Sequence, residues 1–302
     1  MRIAASMWSL VSEARRGRLD APAFVRYAAG IGVEGVELLD VFWRDQGREE
    51  TQALDALAET GLPVSAYAIG NDLVQPDPHE RARQVRHILA GVDTARRLGT
   101  GLLRVFSGSA KEGASAEQGR RWIVEGLREG AAYAAAHGVI LALENHGLFA
   151  GRADQVRAIV DEVGSAALRA NVDTGNFLLV GQDPAVAARE LASLAAYVHL
   201  KDFRPAGDED QPDDVYAGLD GRRFAGRVIG DGAVRLDAVL GALRDAGYEG
   251  WLSIEYEGAG DARGGLERSV AAARLLVAGA SPGRVGPSDT TVPGKGQRGG
   301  DR

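Results

Sequence analysis

Four strand-like runs of this sequence end in side chains that are rarely buried without a partner. The residues are Glu144 in ILALENHG, Asp173 in NVDTGNF, His199 in YVHLKDF and Glu255 in GWLSIEYEG. A charged group loses its solvation when it is buried, so it normally pairs with another charge or binds a metal ion. Any one of the four alone is more typical of a surface charge or a turn. Their recurrence in four runs predicts one shared site.

The alternation of side chains along a strand places each of these residues on a polar face. In the run 195–201, for example, Tyr197, His199 and Lys201 share one face, and Val198 and Leu200 occupy the other. In a parallel barrel such a polar face points into the lumen, and the carboxyl end of the lumen is the catalytic mouth. We therefore expect the four strands to deliver their polar ends to one small volume.

Three carboxylates would repel each other in such a volume, and they and the imidazole would lose solvation. A divalent cation relieves both problems, so Glu144, Asp173, His199 and Glu255 are predicted to bind one. A ligand set of mostly oxygen atoms with one nitrogen suits Mn²⁺, Mg²⁺ or Co²⁺ better than a metal that prefers thiolates.

Strand-like and helical segments alternate along the chain, with most strands about 30 residues apart, the length of one βα unit. The predicted strands are 2–7, 33–39, 63–69, 101–106, 138–144, 168–173, 195–201 and 250–256, and helical spacing is clear in 78–98, 115–137 and 234–247. Eight such units predict an α/β fold, a single-domain (β/α)8 TIM barrel over residues 1–280. A doubly wound open sheet is the rival, but the sequence has no GxGxxG opening to support it.

Two polar segments fall outside the repeating pattern. Residues 204–228 form an insertion with an acidic cluster of Asp208, Glu209, Asp210, Asp213 and Asp214. A solvated surface loop is the favoured interpretation, and a lid over the barrel mouth is the alternative. Residues 281–302 are rich in Gly, Pro and polar residues, which predicts a disordered tail.

The composition restricts the classes of function. The formal net charge is -7 and the pI is about 5.4, which disfavours nucleic acid and anionic membranes as partners. The absence of cysteine excludes disulfides, thiolate metal sites and cysteine nucleophiles. No segment approaches the roughly 18 apolar residues of a spanning helix. A soluble cytoplasmic protein is the expectation.

The motifs LALENHG, NVDTGNF, YVHLKDF, VIGDG and GYEGWLSIEYEG occur in the order typical of one family. The chain resembles the xylose-isomerase-like TIM barrel superfamily, the sugar phosphate isomerase/epimerase family. The resemblance implies a (β/α)8 barrel with one ion, most typically Mn²⁺, held by Glu144, Asp173, His199 and Glu255. It also implies that Glu144 and Glu255 form the catalytic acid/base pair.

The resemblance further implies a metal-dependent sugar isomerase or epimerase, which removes the proton α to a carbonyl and passes through a metal-bound enediolate. A keto-sugar lyase or dehydratase, similar to inosose dehydratase or to an enzyme that eliminates from 3-keto-glycosides, is the alternative. A DNA-repair enzyme similar to AP endonucleases is a remote one, since that site needs many histidines and this chain has five. The expected partner is a small sugar or keto-sugar, and family members are often dimers or tetramers.

One position departs from the family pattern. Many ketose epimerases carry a histidine three residues after the metal aspartate, where this chain has Asn176. An amide can bind a substrate oxygen but carries no charge, so a ketohexose 3-epimerase is less well supported. His146 and Lys201 are further candidates for substrate contacts, although Lys201 could instead be a rim lysine. Asp202 could bind substrate, orient a metal ligand or fix the loop that follows.

Four residues near other strand ends are further candidates for the walls of the pocket. They are Trp8, Asn71, Arg104 and Phe106. Side chains at strand ends more often serve packing than function, so these four are weaker candidates than the residues already named.

Overall fold

The computed structural model describes residues 1–210 and 214–279. Eight parallel strands form a closed barrel in the order β1, β11, β7, β6, β5, β4, β3, β2. The strands are β1 (Arg2–Ser6), β2 (Gly35–Leu39), β3 (Val64–Ala68), β4 (Leu102–Val105), β5 (Ile140–Glu144), β6 (Leu168–Asp173), β7 (Ala195–Leu200) and β11 (Trp251–Ile254). The predicted (β/α)8 TIM barrel is confirmed.

Helices surround the barrel and pack on its outer face. They are α1 (Val11–Arg15), α2 (Ala21–Gly30), α3 (Gln46–Thr60), α4 (Pro78–Arg97), α5 (Ala116–Ala136), α6 (Gly147–Ala150), α7 (Ala153–Val163), α8 (Asn176–Leu179), α9 (Pro184–Leu191), α10 (Leu236–Asp245) and α11 (Ala262–Val277). A single large apolar cluster fills the space between helices and strands. Among the described residues, no helix combines the length and apolar character needed to cross a membrane.

Local sequence signals set the ends of these helices. Ser115 and Gln118 form a reciprocal capping box at the start of α5, which satisfies amide groups that the helix leaves free. Gly61 ends α3 with a φ of 71°, a conformation that a residue with a Cβ adopts only at a cost. These caps explain why the predicted helix boundaries agree with the structure within two residues.

The lower part of the barrel lumen is filled by side chains that alternate in size. Ala4, Ala66 and Ala142 leave the room that Tyr197 and Trp251 occupy, and the five form a separate buried cluster. Filling of this kind makes a barrel interior a packed core instead of a pore. The polar side chains of the lumen therefore gather above this layer, at the carboxyl ends of the strands.

The insertion after β7 is not the solvated loop predicted from the sequence. It forms a three-stranded antiparallel sheet, in the order β8 (Asp202–Pro205), β10 (Arg223–Arg227) and β9 (Val215–Ala217). The prediction was wrong because backbone pairing joins these segments into a sheet, in which Phe203 and Phe224 are buried. Part of the acidic cluster also forms ion pairs with arginines of the same insertion.

Asp210 illustrates that pairing. Its carboxylate lies 2.9 Å from Arg204 and 3.1 Å from Arg227, and its side chain is only 8% exposed. The role of the insertion as a lid stays a prediction. Asp213 and the predicted disordered tail at 281–302 lie outside the described residues.

Candidate metal centre

The four residues predicted to bind a metal ion converge at the mouth of the barrel. His199 Nδ1 lies 3.4 Å from Glu144 Oε2, 3.7 Å from Glu255 Oε2 and 3.8 Å from Asp173 Oδ2. One ligand atom from each residue lies within 4.8 Å of all the others, and all four residues are buried. Parallel strand pairing produces this convergence, since Asp173 lies opposite His199, and Ser253 on the far side of His199 precedes Glu255 by two residues.

A fourth carboxylate, that of Glu37, orients the imidazole of His199. Glu37 Oε1 and Oε2 lie 3.0 and 3.1 Å from His199 Nε2, and Ser253 donates a 2.9 Å hydrogen bond to Glu37. A carboxylate on one ring nitrogen favours the tautomer that leaves the other nitrogen free to bind a metal ion. Nδ1 therefore faces the other three ligands. Glu37 was not predicted from the sequence, although a charged residue within the apolar run GVELL is a usable signal.

One carboxylate oxygen of Asp173 faces the site without accepting a hydrogen bond from the described residues. Its Oδ1 accepts 2.9 Å hydrogen bonds from the backbone amides of Gly175 and Asn176. Its Oδ2 accepts no hydrogen bond from the described residues, although Lys201 Nζ lies 2.9 Å away. Because buried carboxylate oxygens are normally bonded, this oxygen is a suitable ligand for a cation. Asn145 fixes the local backbone by two further hydrogen bonds to Asp173.

Glu144 is held by neighbours from two other strands and one short helix. Arg104 Nε lies 3.2 Å from its Oε2, and Asn171 donates a 3.3 Å hydrogen bond to the same oxygen. Asn176 donates a 3.1 Å hydrogen bond to Oε1. Asn176, a candidate for substrate contact, therefore uses its amide nitrogen on a metal-ligand candidate in this structure. These contacts leave Glu144 little freedom to rotate.

The surroundings give the two glutamates different proton affinities. Burial raises the pKa of Glu144, but Arg104 and His199 outweigh it and hold that pKa well below its usual range. Burial also raises the pKa of Glu255. There it outweighs the lowering effect of Lys201 and brings the pKa of Glu255 to about 7. A divalent ion beside them would lower both pKa values, because positive charge favours the ionised form.

Lys201 lies against three carboxylates of the lumen. Its ammonium nitrogen is 2.6 Å from Glu255 Oε2, 2.9 Å from Asp173 Oδ2 and 3.0 Å from Glu257 Oε1. Two of these oxygens belong to the metal-ligand candidates. The ammonium group therefore stabilises the same charges that a metal ion would stabilise.

The balance of charge fits a divalent ion. Five buried carboxylates meet here, each less than a tenth exposed: Glu37, Glu144, Asp173, Glu255 and Glu257. With His199 neutral, as binding of a metal ion requires, Arg104 and Lys201 supply two positive charges among the described residues, so the carboxylates exceed them by three. Buried charge of one sign is costly unless it is compensated. A divalent ion bound by Glu144, Asp173, His199 and Glu255 would remove most of the excess.

We expect Lys201→Met to bind Mn²⁺ more tightly than the wild-type protein, because the competing ammonium group is gone. Without a metal ion the same variant should lose about 3–5 kcal/mol of stability, the usual effect of removing one partner of a buried ion pair. Titration against a chelator and thermal unfolding in EDTA measure the two effects. Lys111→Met, which removes a partly exposed partner of Asp72, is the matched control. Weaker Mn²⁺ binding by Lys201→Met would contradict the prediction.

A cavity of about 170 Å³ opens above these residues. Its walls include Trp8, Arg104, Phe106 and His146, together with Glu144, Lys201, Glu255 and Glu257. His146 is exposed, and its ring lies 5.1 Å from that of Phe106. Asn71 instead exchanges two hydrogen bonds with the backbone of Phe106 and is not among the lining residues. His146 therefore remains a candidate for substrate contact.

Asp202 faces away from this cavity. Its carboxylate accepts hydrogen bonds of 2.9–3.1 Å from the backbone amides of Gly230, Gly232 and Val234. These contacts favour the last of the roles considered for it, in which it fixes a following loop. Burial raises the pKa of Asp202 to about 6, in spite of the lowering effect of these amides.

Asp202→Ala should therefore destabilise the protein by about 2 kcal/mol, because buried amides lose their acceptor. Urea unfolding measures this difference, with the exposed Asp208→Ala as the control. Equal stability of the two variants would show that the loop does not depend on Asp202.

The family model described as a xylose isomerase-like TIM barrel matches residues 25–276. The chain belongs to the xylose isomerase-like TIM barrel family. The resemblance inferred from the sequence motifs is thereby confirmed.

Curated relatives of this xylose isomerase-like barrel include a dehydratase and an epimerase. Inosose dehydratase of Clostridium perfringens is 27% identical over 143 residues, 47% of this chain and 48% of that protein. The 2-epi-5-epi-valiolone 7-phosphate 2-epimerase of Actinoplanes sp. is 36% identical over 192 residues, 61% of this chain and 68% of that protein. The chain thus spans about half the length of the inosose dehydratase it matches. Both relatives are enzymes, which supports the prediction of an enzyme.

A solved structure of the IOLI protein with a bound zinc atom has the same fold. The TM-score is 0.73 at 17% identity, and the match covers 92% of this chain and 99% of that one. Likeness at this identity shows the fold alone. In the present xylose isomerase-like barrel, the buried Glu, Asp and His group is itself of a composition that could bind a metal ion.

Proposed function

We propose that this protein is a metal-dependent sugar isomerase or epimerase that removes the proton α to a carbonyl. The observation that carries the proposal is the convergence of Glu144, Asp173, His199 and Glu255 beneath an open cavity at the barrel mouth. Two glutamates in one such group can both bind an ion and exchange protons. The predicted ion is Mn²⁺, with Mg²⁺ or Co²⁺ as alternatives.

The ion would supply positive charge that polarises the substrate carbonyl and favours loss of the neighbouring proton. Glu255 accepts that proton on a carboxylate oxygen, and in an epimerisation Glu144 takes up a proton from solvent and passes it to the opposite face of the same carbon. Returning the proton to the adjacent carbon gives an isomerisation instead. These roles are those of general acid/base catalysts.

Other residues of the site position these groups. Glu37 holds the imidazole of His199, and Arg104 and Asn176 hold the carboxylate of Glu144. Lys201 neutralises carboxylates until an ion binds, after which its ammonium group is available to a substrate oxygen. Trp8 and Phe106 exclude water from part of the cavity.

Deuterium exchange tests the proposal directly. The Mn²⁺-loaded protein is incubated in D₂O with ketoses, aldoses, inososes and 3-keto-glycosides, and loss of C–H signals is followed by proton NMR. Deuterium that enters α to a carbonyl in a protein-dependent manner supports proton abstraction. Failure of exchange on every substrate, in protein shown to contain the ion, would count against it.

A lyase is the second candidate, and the similarity to inosose dehydratase favours it specifically. Dehydration begins with the same proton abstraction and ends with loss of a leaving group in place of reprotonation. The residues described above suit both outcomes. The products of the exchange experiment distinguish them, because a lyase yields an unsaturated product and an epimerase yields a stereoisomer.

The arrangement of the histidines disfavours the remote DNA-repair alternative. His79 lies on α4, His87 pairs with Asp40, and His137 ends α5 with a bond to Tyr133. Of the five histidines, His199 is the one that joins the buried group. We therefore propose a small sugar as the partner.

A further inference from the structure

A second cavity lies beside the first at the mouth of the barrel. Its volume is about 370 Å³, and its walls include Arg15, Arg16 and Arg44. These residues lie on the segments that follow β1 and β2, so they occupy the same end of the barrel as the candidate metal centre. Val41 lines both cavities, which makes them neighbours. We refer to Arg15, Arg16 and Arg44 as the arginine rim.

The arginine rim is an unbalanced positive patch on an acidic protein. The whole chain has a net charge of -7, and many of its exposed arginines pair with carboxylates. Within residues 1–210 and 214–279, none of the three rim guanidinium groups lies within ion-pair distance of a carboxylate. Arg44 donates a 3.2 Å hydrogen bond to the Ala14 carbonyl, which points it toward the segment that carries Arg15 and Arg16.

Trp8 connects the arginine rim to the catalytic residues. Its Nε1 donates a 2.8 Å hydrogen bond to Glu257, which contacts Lys201 at the candidate metal centre. On the other side, the guanidinium carbon of Arg15 lies 5.3 Å from the Trp8 ring, within cation–π range. A ligand that spans the two cavities would therefore pass along the indole, with one end beside the metal ligands and the other among arginines.

We propose that Arg15, Arg16 and Arg44 bind the phosphate group of a phosphorylated keto-sugar whose carbonyl end lies at Glu144 and Glu255. Guanidinium groups suit a phosphate because their planar donors match its oxygens in pairs. The ring or chain of the sugar would occupy the space beside Trp8. The inference rests on the proposed function and narrows its substrate class, since the name of the Actinoplanes relative includes a 7-phosphate and that of inosose dehydratase includes none.

Inorganic phosphate is the first probe, since it carries the proposed group alone. Its dissociation constant is measured with the Mn²⁺-loaded protein at low ionic strength, by calorimetry against a buffer titration. The rim variant carries Arg15→Ala, Arg16→Ala and Arg44→Ala. The control variant carries alanine at three exposed arginines of the outer helices, each of which pairs with a carboxylate: Arg26, Arg83 and Arg120.

We expect the rim variant to bind phosphate about tenfold to a hundredfold more weakly than the control variant, the range for losing charged hydrogen bonds. The two variants lose the same charge, so a general electrostatic effect would weaken both equally. Equal binding by the two variants, or absence of saturable binding by the wild-type protein, overturns the inference. Thermal unfolding of both variants confirms that each is folded.

Substrate turnover separates this inference from the proposed function. For any sugar that exchanges deuterium, the phosphorylated and unphosphorylated forms are compared in the rim and control variants. A rise in KM for the phosphorylated form alone, specific to the rim variant, supports phosphate recognition. Exchange that is indifferent to the rim variant overturns recognition but leaves the proposed function standing. Phosphate binding that depends on the rim, without deuterium exchange on any sugar, supports the phosphate site and counts against the proposed function.

Discussion

The Glu255→Gln variant should exchange substrate protons about a thousandfold more slowly than the wild-type protein. Glutamine retains a carbonyl oxygen that can approach a metal ion, but it cannot accept a proton. The expected loss lies within the range of about 10²–10⁴ that positioned acid/base groups contribute. Deuterium incorporation with the substrate identified in the exchange screen measures it. Metal content, determined on the same sample, shows whether the ion is still bound.

Glu257→Gln is the matched comparison for this result. The two glutamates lie two residues apart on the same face, and the substitution is chemically identical. Glu257 contacts Trp8 and Lys201 but is not part of the four-ligand group. We therefore expect a much smaller decrease. A Glu255→Gln variant that retains its ion and exchanges at the wild-type rate would remove Glu255 from the mechanism.

The Glu37→Gln variant should bind Mn²⁺ about 10–100-fold more weakly than the wild-type protein, as is typical when a partner of a metal-bound histidine is lost. The neutral amide attracts the Nε2 proton of His199 less strongly than the carboxylate does, and its NH₂ group repels that proton when it faces the ring. The imidazole then loses both its orientation and part of its basicity. Competition with a chelator of known affinity measures the change without reference to activity.

Ser253→Ala provides the control for Glu37. It removes the hydroxyl that hydrogen-bonds Glu37 but leaves the carboxylate against His199. A smaller loss of affinity is expected from it. Lys201→Met and Glu37→Gln should shift Mn²⁺ affinity in opposite directions, which a general loss of folding would not do. Unchanged affinity in Glu37→Gln would show that the imidazole is oriented by packing alone.

The sequence was sufficient to predict the four ligands because their signal is local. Each lies at or beside the carboxyl end of an apolar strand, and alternation of side chains identifies the face it occupies. The βα repeat then implies that parallel strands bring these ends together. Helix boundaries could be predicted equally well, because capping residues such as Ser115 and Gln118 lie close together in the sequence.

What the sequence analysis missed depends on contacts between distant segments. Glu37 and His199 are 162 residues apart, and only closure of the barrel brings β2 near β7. The sequence predicts Arg104 only as a wall residue, because its contact with Glu144 needs the pairing of β4 with β5. The small sheet after β7 was not predicted because its strands are short. Phe203 and Phe224 are the large apolar residues in the sequence that indicate its packing.

The order of the strands around the barrel divides the mouth into two arcs. The metal-ligand candidates follow β5, β6, β7 and β11, which are neighbours in the closed sheet, while Trp8, Val41, Gly70 and Phe106 follow β1 to β4. The loops of the second arc can therefore change without altering the ligands of the first. Grafting those loops from another family member, with the strand residues Glu37 and Arg104 retained, should redirect substrate choice while ion affinity stays constant. This modularity makes the first half of the chain the region to diversify in directed evolution.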